Sequence, residues 1–262
     1  MKTKKYFEIA RMGFREGTAY RFNAIMGLAT SGFFLVLYYY IWSAIAAGGQ
    51  LSTSLDQIMA YIVVGQIVSN SVFVDAESFI GDRVRKGTIV NELKRPISLR
   101  VQTYFFLVGK SIFNLIVRGM PVWIIGALFL GVGIPSNQNL IGFIISLFLS
   151  MNLVFSLSYA TAMLVFWTKV AWSLRMMRNL IQNLFSGVVF PLYLLPVELK
   201  PIFNFLPFSS MADGPISIFQ GTVTGWGMIE VFAVQIGWTI VILLVGELLW
   251  RKAKNKLTVQ GG

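Results

Sequence analysis

The chain has 262 residues, 56 % of them hydrophobic and 13 % charged, with a mean hydropathy of +0.70 and a formal net charge of +11. A water-soluble domain usually carries about a quarter charged residues, so this composition excludes an ordinary soluble globule and makes lipid the solvent for much of the surface. Cysteine and histidine are both absent, which removes disulfides, thiolate metal sites, thiol nucleophiles and the commonest general base.

A helix crossing the hydrocarbon needs about 20 mostly apolar residues, and six stretches meet or approach that. Ahead of the first, Tyr6, Phe7, Ile9, Ala10, Gly13 and Phe14 recur at helical spacing among Lys4, Lys5, Glu8, Arg11 and Arg15. This predicts an amphipathic helix over residues 1–21 lying in the interface. Gly13 and Gly17 form a lone GxxxG, which carries little weight outside a span. The first span runs over 24–47; its apolar run exceeds the about 7–15 residues of a signal-peptide core, so a retained helix is expected. The second covers 57–74.

Residues 75–102 then form a loop too long for a simple turn. Phe79, Ile80, Val84, Thr88, Ile89 and Leu93 fall near helical spacing among basic residues until Pro96 stops the pattern. One or two short basic amphipathic helices are expected, suited to lipid or to a groove on a soluble partner. The third span, 106–132, carries Lys110 and Arg118 in its first half, where both are expected to snorkel. The fourth, 140–167, has no charge, the fifth, 180–196, is short, and the sixth covers 227–249. From the end of the fifth span onward, Pro191, Pro196, Pro201, Pro207 and Pro215 break a stretch that stays apolar. Two short re-entrant helices meeting near Pro196–Pro201 are predicted there.

Lys and Arg sort by loop. Six precede the first span, six lie between the second and third, three between the fourth and fifth, and four follow the sixth, whereas the alternate loops hold only Lys200. The positive-inside rule therefore places both termini and the 75–102 and 168–179 loops in the cytoplasm. The basic excess reflects topology and anionic lipid, and no nucleic-acid partner is expected.

Chemistry of its own is not expected of the chain. The run Gly81 to Thr88 has its Lys and Gly in the wrong order for a phosphate loop, in which glycine must precede lysine for the backbone to wrap the phosphates. Asp75, Glu77 and Asp82 sit at a span end and are read as solvated, so no metal site is expected. The only acids expected in or near spans are Asp56, Asp75, Glu230 and Glu247, all close to predicted ends and none at a span centre, which disfavours ion coupling through a buried carboxylate.

At the two unusual loops the chain resembles ABC-2-type transporter permeases, in particular the DUF990 branch. The matching residues are Ile80 through Gly87-Thr88, Leu93 to Ile97, Phe166-Trp167-Thr168 with Trp172, and Ser186-Gly187 through Phe190-Pro191-Leu192. Leu206-Pro207-Phe208, Pro215 through Gln220-Gly221, and Val259 to Gly262 complete the set. Lys94 departs from the family's L-x-R-P element. The resemblance spans the whole chain and implies a single all-α integral membrane domain, 1–262. Six transmembrane helices would be joined by an N-terminal interfacial helix, a cytoplasmic coupling helix between spans two and three, and re-entrant helices between spans five and six. It further implies the permease subunit of an exporter in the bacterial inner membrane. The chain would carry no cofactor; ATP and Mg would sit on a separate cytoplasmic ATPase, present as two copies or a dimer. A second permease chain, identical or paralogous, would complete the pathway, with lipid around it.

Specific residues follow. Arg83, Val84, Arg85, Ile89, Glu92 and Leu93 are expected to contact the ATPase. Pro191, Leu195, Pro196, Phe205 and Pro207 are expected to build an outer gate, and Asn114, Asn152, Gln182, Asn183 and Gln235 to line the pathway. Spans two and five are expected at the permease interface. The alternative is an ion-coupled carrier or channel without an ATPase.

Overall fold

The computed structural model describes residues 2–49 and 53–256. All regular structure among the described residues is helical. α1 (Lys2–Ala19) leads through Tyr20 into the apolar α2 (Arg21–Ala47). α3 (Leu55–Val72) starts where Ser54 Oγ accepts from Gln57 N, a side-chain cap that satisfies one orphan donor. Phe73 then turns extended, and Asp75 caps α4 (Ala76–Arg85) by accepting from Ser78 N at 2.9 Å. Gly87, with φ +70°, breaks the chain before α5 (Ile89–Leu93).

Ser98 caps α6 (Leu99–Asn114), which passes through one π turn (Leu115–Gly119) into α7 (Met120–Phe129). Pro121 supplies the reason for that turn: it has no N–H to bond the carbonyl four residues back, and its ring pushes that carbonyl aside. α8 (Asn137–Met163) is capped by Ser136, and the short α9 (Val165–Thr168) ends at Lys169, which is left-handed with φ 58°. α10 (Ala171–Phe185) follows, then irregular backbone, a 3-10 turn at Leu192–Leu194 and α11 (Lys200–Phe205). α12 (Pro207–Gln220) ends on the left-handed Gly221, and α13 (Trp226–Lys254) closes the described fold.

Among the described residues, five helical stretches are long and apolar enough to cross a membrane: Phe22–Ala47, Leu55–Arg85, Leu99–Phe129, Asn137–Thr168 and Trp226–Lys254. The expected fifth span, 180–196, is not among them. It is helical only to Phe185, and the helix begins nine residues earlier, at Ala171. The reason is composition: Arg175, Arg178 and Gln182 lie on its inward face, so hydropathy undervalues its first half.

α3 is the central pillar, with two cores on opposite faces. Tyr61, Val64, Val68 and Val72 pack with α8 and α12. Ile58, Ile62, Val63 and Ile67 pack with Leu35 of α2 and Val122 of α7. The expectation that the second span meets another permease therefore fails: α3 is enclosed by its own chain.

Contacts define two ends. At one, Phe166 meets Trp250 with ring centroids 5.6 Å apart, and Arg100 pairs with Glu247 at 2.7 Å. At the other, Thr53, Gln57, Pro135, Tyr193 and Thr222 surround a cavity of about 530 Å³, and Gln220 Nε2 donates to the Gln57 carbonyl. The chain between α9 and the 3-10 turn links these ends, since Ala171 packs on Gly81 while Tyr193 borders the opposite cavity.

α1 does not rest on lipid alone. It runs beside α6, with Tyr6 stacked on Phe105 and Phe14 edge-on to Phe113. Gly13 sits on the Phe106 carbonyl and Gly109 on the Ala10 carbonyl, in space that any Cβ would fill. Gly17 abuts the Phe113 ring in the same way. The GxxxG set aside in the sequence is thus the contact itself, because small residues let two helix backbones approach.

Candidate functional site

The end marked by the Arg100–Glu247 pair, to which the basic residues of 83–100 belong, is the basic end, and it gathers an extended polar network. α4 begins there, and its N-cap Asp75 and first-turn Glu77 are acids that the sequence pattern leaves to solvent. Glu77 is instead fully buried. Its Oε1 accepts from Arg178 Nε at 2.6 Å and from Thr161 Oγ1, and its Oε2 accepts from Ser158 Oγ at 2.5 Å and Arg178 Nη2 at 3.3 Å. Arg178 is buried as well; Nη2 also donates to the Val74 carbonyl at 3.1 Å, and Nη1 to Gln182 Oε1 at 2.7 Å. Ser158 Oγ in turn accepts from Ala76 N at 2.7 Å.

One turn away the arrangement repeats nearer the surface. Arg175 Nη1 donates to Asp75 Oδ2 at 2.8 Å and to Ser78 Oγ at 3.1 Å. Two acids from the start of α4 therefore hold two arginines on one face of α10, and α8 closes the buried one. Bidentate arginine–carboxylate pairing is directional as well as strong. Removing one partner of such a buried pair typically destabilises by about 3–5 kcal/mol, because the other charge is left uncompensated. α4 and α10 are consequently fastened as one piece at this end.

The six expected ATPase contacts are all brought together on α4 and α5, but they face different ways. Arg83 lies over the Phe79 ring at 3.5 Å and donates to Glu92 Oε1 at 3.3 Å. Glu92 is nearly buried and also pairs with Arg95 at 2.8 Å. Ile89 is buried and Val84 packs on the core. Arg85 and Leu93 face outward, with Val90 and Lys86 beside them. Gln102 Nε2 fastens the loop from below, donating to the carbonyls of Glu92 and Ile97.

The expected pathway residues are not brought together. Gln182 is in the Arg178 network, while Asn183 is exposed on the same helix. Asn152 Oδ1 accepts from Tyr104 Oη at 2.9 Å. Gln235 is fully buried, with Nε2 donating to Ser146 Oγ and to the Ser210 carbonyl. Asn114 borders a cavity beside α1 and α2.

Of the expected gate residues, Pro191 and Pro207 are buried at helix starts, Leu195 is half-buried, and Pro196 and Phe205 are exposed, Phe205 with its ring edge-on to Trp238. α12 enters deeply behind them: Met211, Ala212, Ile216 and Ile218 have no exposed surface. It also carries an acid that sequence reading did not weigh. Asp213 Oδ1 accepts from Tyr61 Oη of α3 at 2.7 Å, and its backbone N–H donates to the Ser186 carbonyl just past α10. Nothing in the local sequence marks it, since its environment depends on α12 folding back into the bundle.

α10 has the opposite arrangement to a soluble amphipathic helix. Its polar face is inside, while Trp172, Met176, Met177, Leu180 and Leu184 are exposed. α2 likewise exposes Phe33, Val36 and Tyr40.

A family model described as "ABC-2 family transporter protein" matches residues 25–261. No curated protein matches the chain.

Proposed function

Because the chain belongs to the ABC-2 transporter family, whose members are membrane permeases of ABC transporters, we propose that it is the permease subunit of an ATP-driven exporter. A separate ATPase docks beneath α4 and α5, and a second permease chain, identical or paralogous, completes the pathway. ATP and Mg belong to the ATPase. In this reading α10 and the irregular stretch after it make a sixth crossing, so both termini lie with the basic end in the cytoplasm, as the positive-inside rule requires.

The observation that carries the reading is the Glu77–Arg178 network. A docking surface transmits force only if it is fastened to something that moves, and this one is fastened to α10 through two arginines. Displacement of α4 and α5 by the ATPase would carry α10 with it as a rigid body. Its exposed apolar face, together with that of α2, is the surface we assign to the second permease. The same motion would reach the outer segment from Pro191 to Pro207, where α10 has given way to irregular backbone, and open the gate.

One observation favours the ion-coupled alternative. Asp213 sits inside the bundle without a Lys or Arg within 4 Å among the described residues, and intramembrane acids mark ion pathways by default. The two readings separate by composition of the native complex and by energy source. The exporter requires two permease chains and an ATPase in the complex purified in mild detergent, and transport abolished by ATP depletion. A complex with one permease copy and no ATPase, with transport that collapses only with the ion gradient, would establish the alternative.

A further inference from the structure

We propose that Lys110 and Arg118, where α1 and α2 meet α6, form a binding site for the phosphate of an anionic phospholipid. The two cations stand four residues either side of Asn114, so all three lie on one stripe of the helix. With Glu16, Tyr20 and Asn23 they line a cavity of about 360 Å³.

Arg118 is held as a ligand-ready group. Its guanidinium lies flat against Gly27, in space a Cβ would fill, and Nη2 donates to the Asn23 carbonyl at 2.9 Å. Its Nε is buried with no acceptor. An unpaired buried donor of this kind is costly to maintain, and phosphate oxygens are among the acceptors that the arginine fork matches. Lys110 Nζ is bridged to Glu16 at 3.1 Å and keeps further protons for the same anion. The lining carries two cations and one acid, a net attraction for an anion.

Depth points to lipid as the source of that phosphate. Ser111, next to Lys110, bonds the Ser71 carbonyl, close to the inner end of α3 at Val72. Gly119, next to Arg118, packs on Ile67, five residues deeper, or about 7 Å along a helix. By this measure Lys110 lies near the inner end of the hydrocarbon and Arg118 about 7 Å further in, so both cations would draw a headgroup phosphate inward. Ile112, Ile116 and Met120 are exposed beside them, as are Phe22, Ile25 and Met26 on α2, and acyl chains would cover these. Basic pockets at this depth bind headgroups electrostatically and by hydrogen bonding. The leaflet, but not the site, rests on reading the basic end as cytoplasmic.

The test is native mass spectrometry of the purified full-length chain, with phosphatidylglycerol, phosphatidylcholine and inorganic phosphate as probes. Preferential retention of phosphatidylglycerol is expected, unaffected by millimolar phosphate. Arg118→Gln should weaken it roughly tenfold, as loss of a charge-assisted hydrogen bond predicts. The more exposed Lys110→Gln should weaken it several-fold, and Lys252→Gln should leave it unchanged. Should Arg118→Gln not fold, Lys110→Gln alone decides. Equal retention of the two lipids, competition by inorganic phosphate, or wild-type retention in the folded variants would overturn the proposal. The readout involves no ATPase, so its failure is distinct from failure of the permease reading.

Discussion

Glu77 and Arg178 are opposite charges that meet out of water although 101 residues separate them. Glu77→Gln should lower the unfolding temperature markedly, in line with about 3–5 kcal/mol for stranding a buried charge. Arg178→Gln should do the same, while the double variant should fall well short of the sum, because neither charge is then left alone. Thermal scans at one fixed rate check this; full additivity would mean that the pair contributes no mutual energy. The sequence held half of this site. Arg175, Arg178 and Gln182, spaced three and four apart, make one helical face, but such a stripe is also what a solvated cytoplasmic loop presents. Its partner acid at a span end looked equally ordinary. Only long-range packing brings the two together, and the Tyr61–Asp213 contact escaped for the same reason.

At the scale of elements, legibility followed hydropathy. The long apolar helices α2, α3, α8 and α13 were readable from run length, since lipid demands it. α10 was misplaced because its polar face turns inward, which inverts the amphipathic logic of a soluble helix. The α1–α6 pair was missed for another reason: glycine spacing says nothing until the partner helix is known. That pair yields a sharp prediction. Gly13→Leu forces a side chain into the Phe106 carbonyl, and overpacking of this kind costs about 1–3 kcal/mol or more. It should reduce thermal stability clearly, whereas Phe7→Ala, at an exposed position, should change it little. Equal effects would mean that the two helices separate in the native membrane.

At the scale of the whole molecule, cytoplasmic placement of both termini requires an even number of crossings, with the broken α10 segment as one of them. Single cysteines at Ser54, Asn137 and Thr222 should react with an impermeant thiol reagent in sealed cells, and those at Thr88 and Ser173 should not. The native chain has no cysteine, so no background interferes. Protection of Thr222 while Ser54 and Asn137 still react would leave both ends of the α10 segment on one side and remove the sixth crossing. Labelling at Thr88 would invert the molecule.

The exporter reading stands or falls on whether α4 and α5 hold an ATPase. Leu93 and Val90 are the apolar side chains they leave exposed, and buried apolar anchors carry most interface energy while rim charges carry little. The most direct measurement is affinity purification of the wild-type chain, Leu93→Asp and Lys86→Ala from the native membrane, followed by assay of bound ATP hydrolysis. An ATPase that accompanies the wild type and Lys86→Ala but is lost from Leu93→Asp is the predicted result. An ATPase retained equally by all three, or bound by none, would contradict the account.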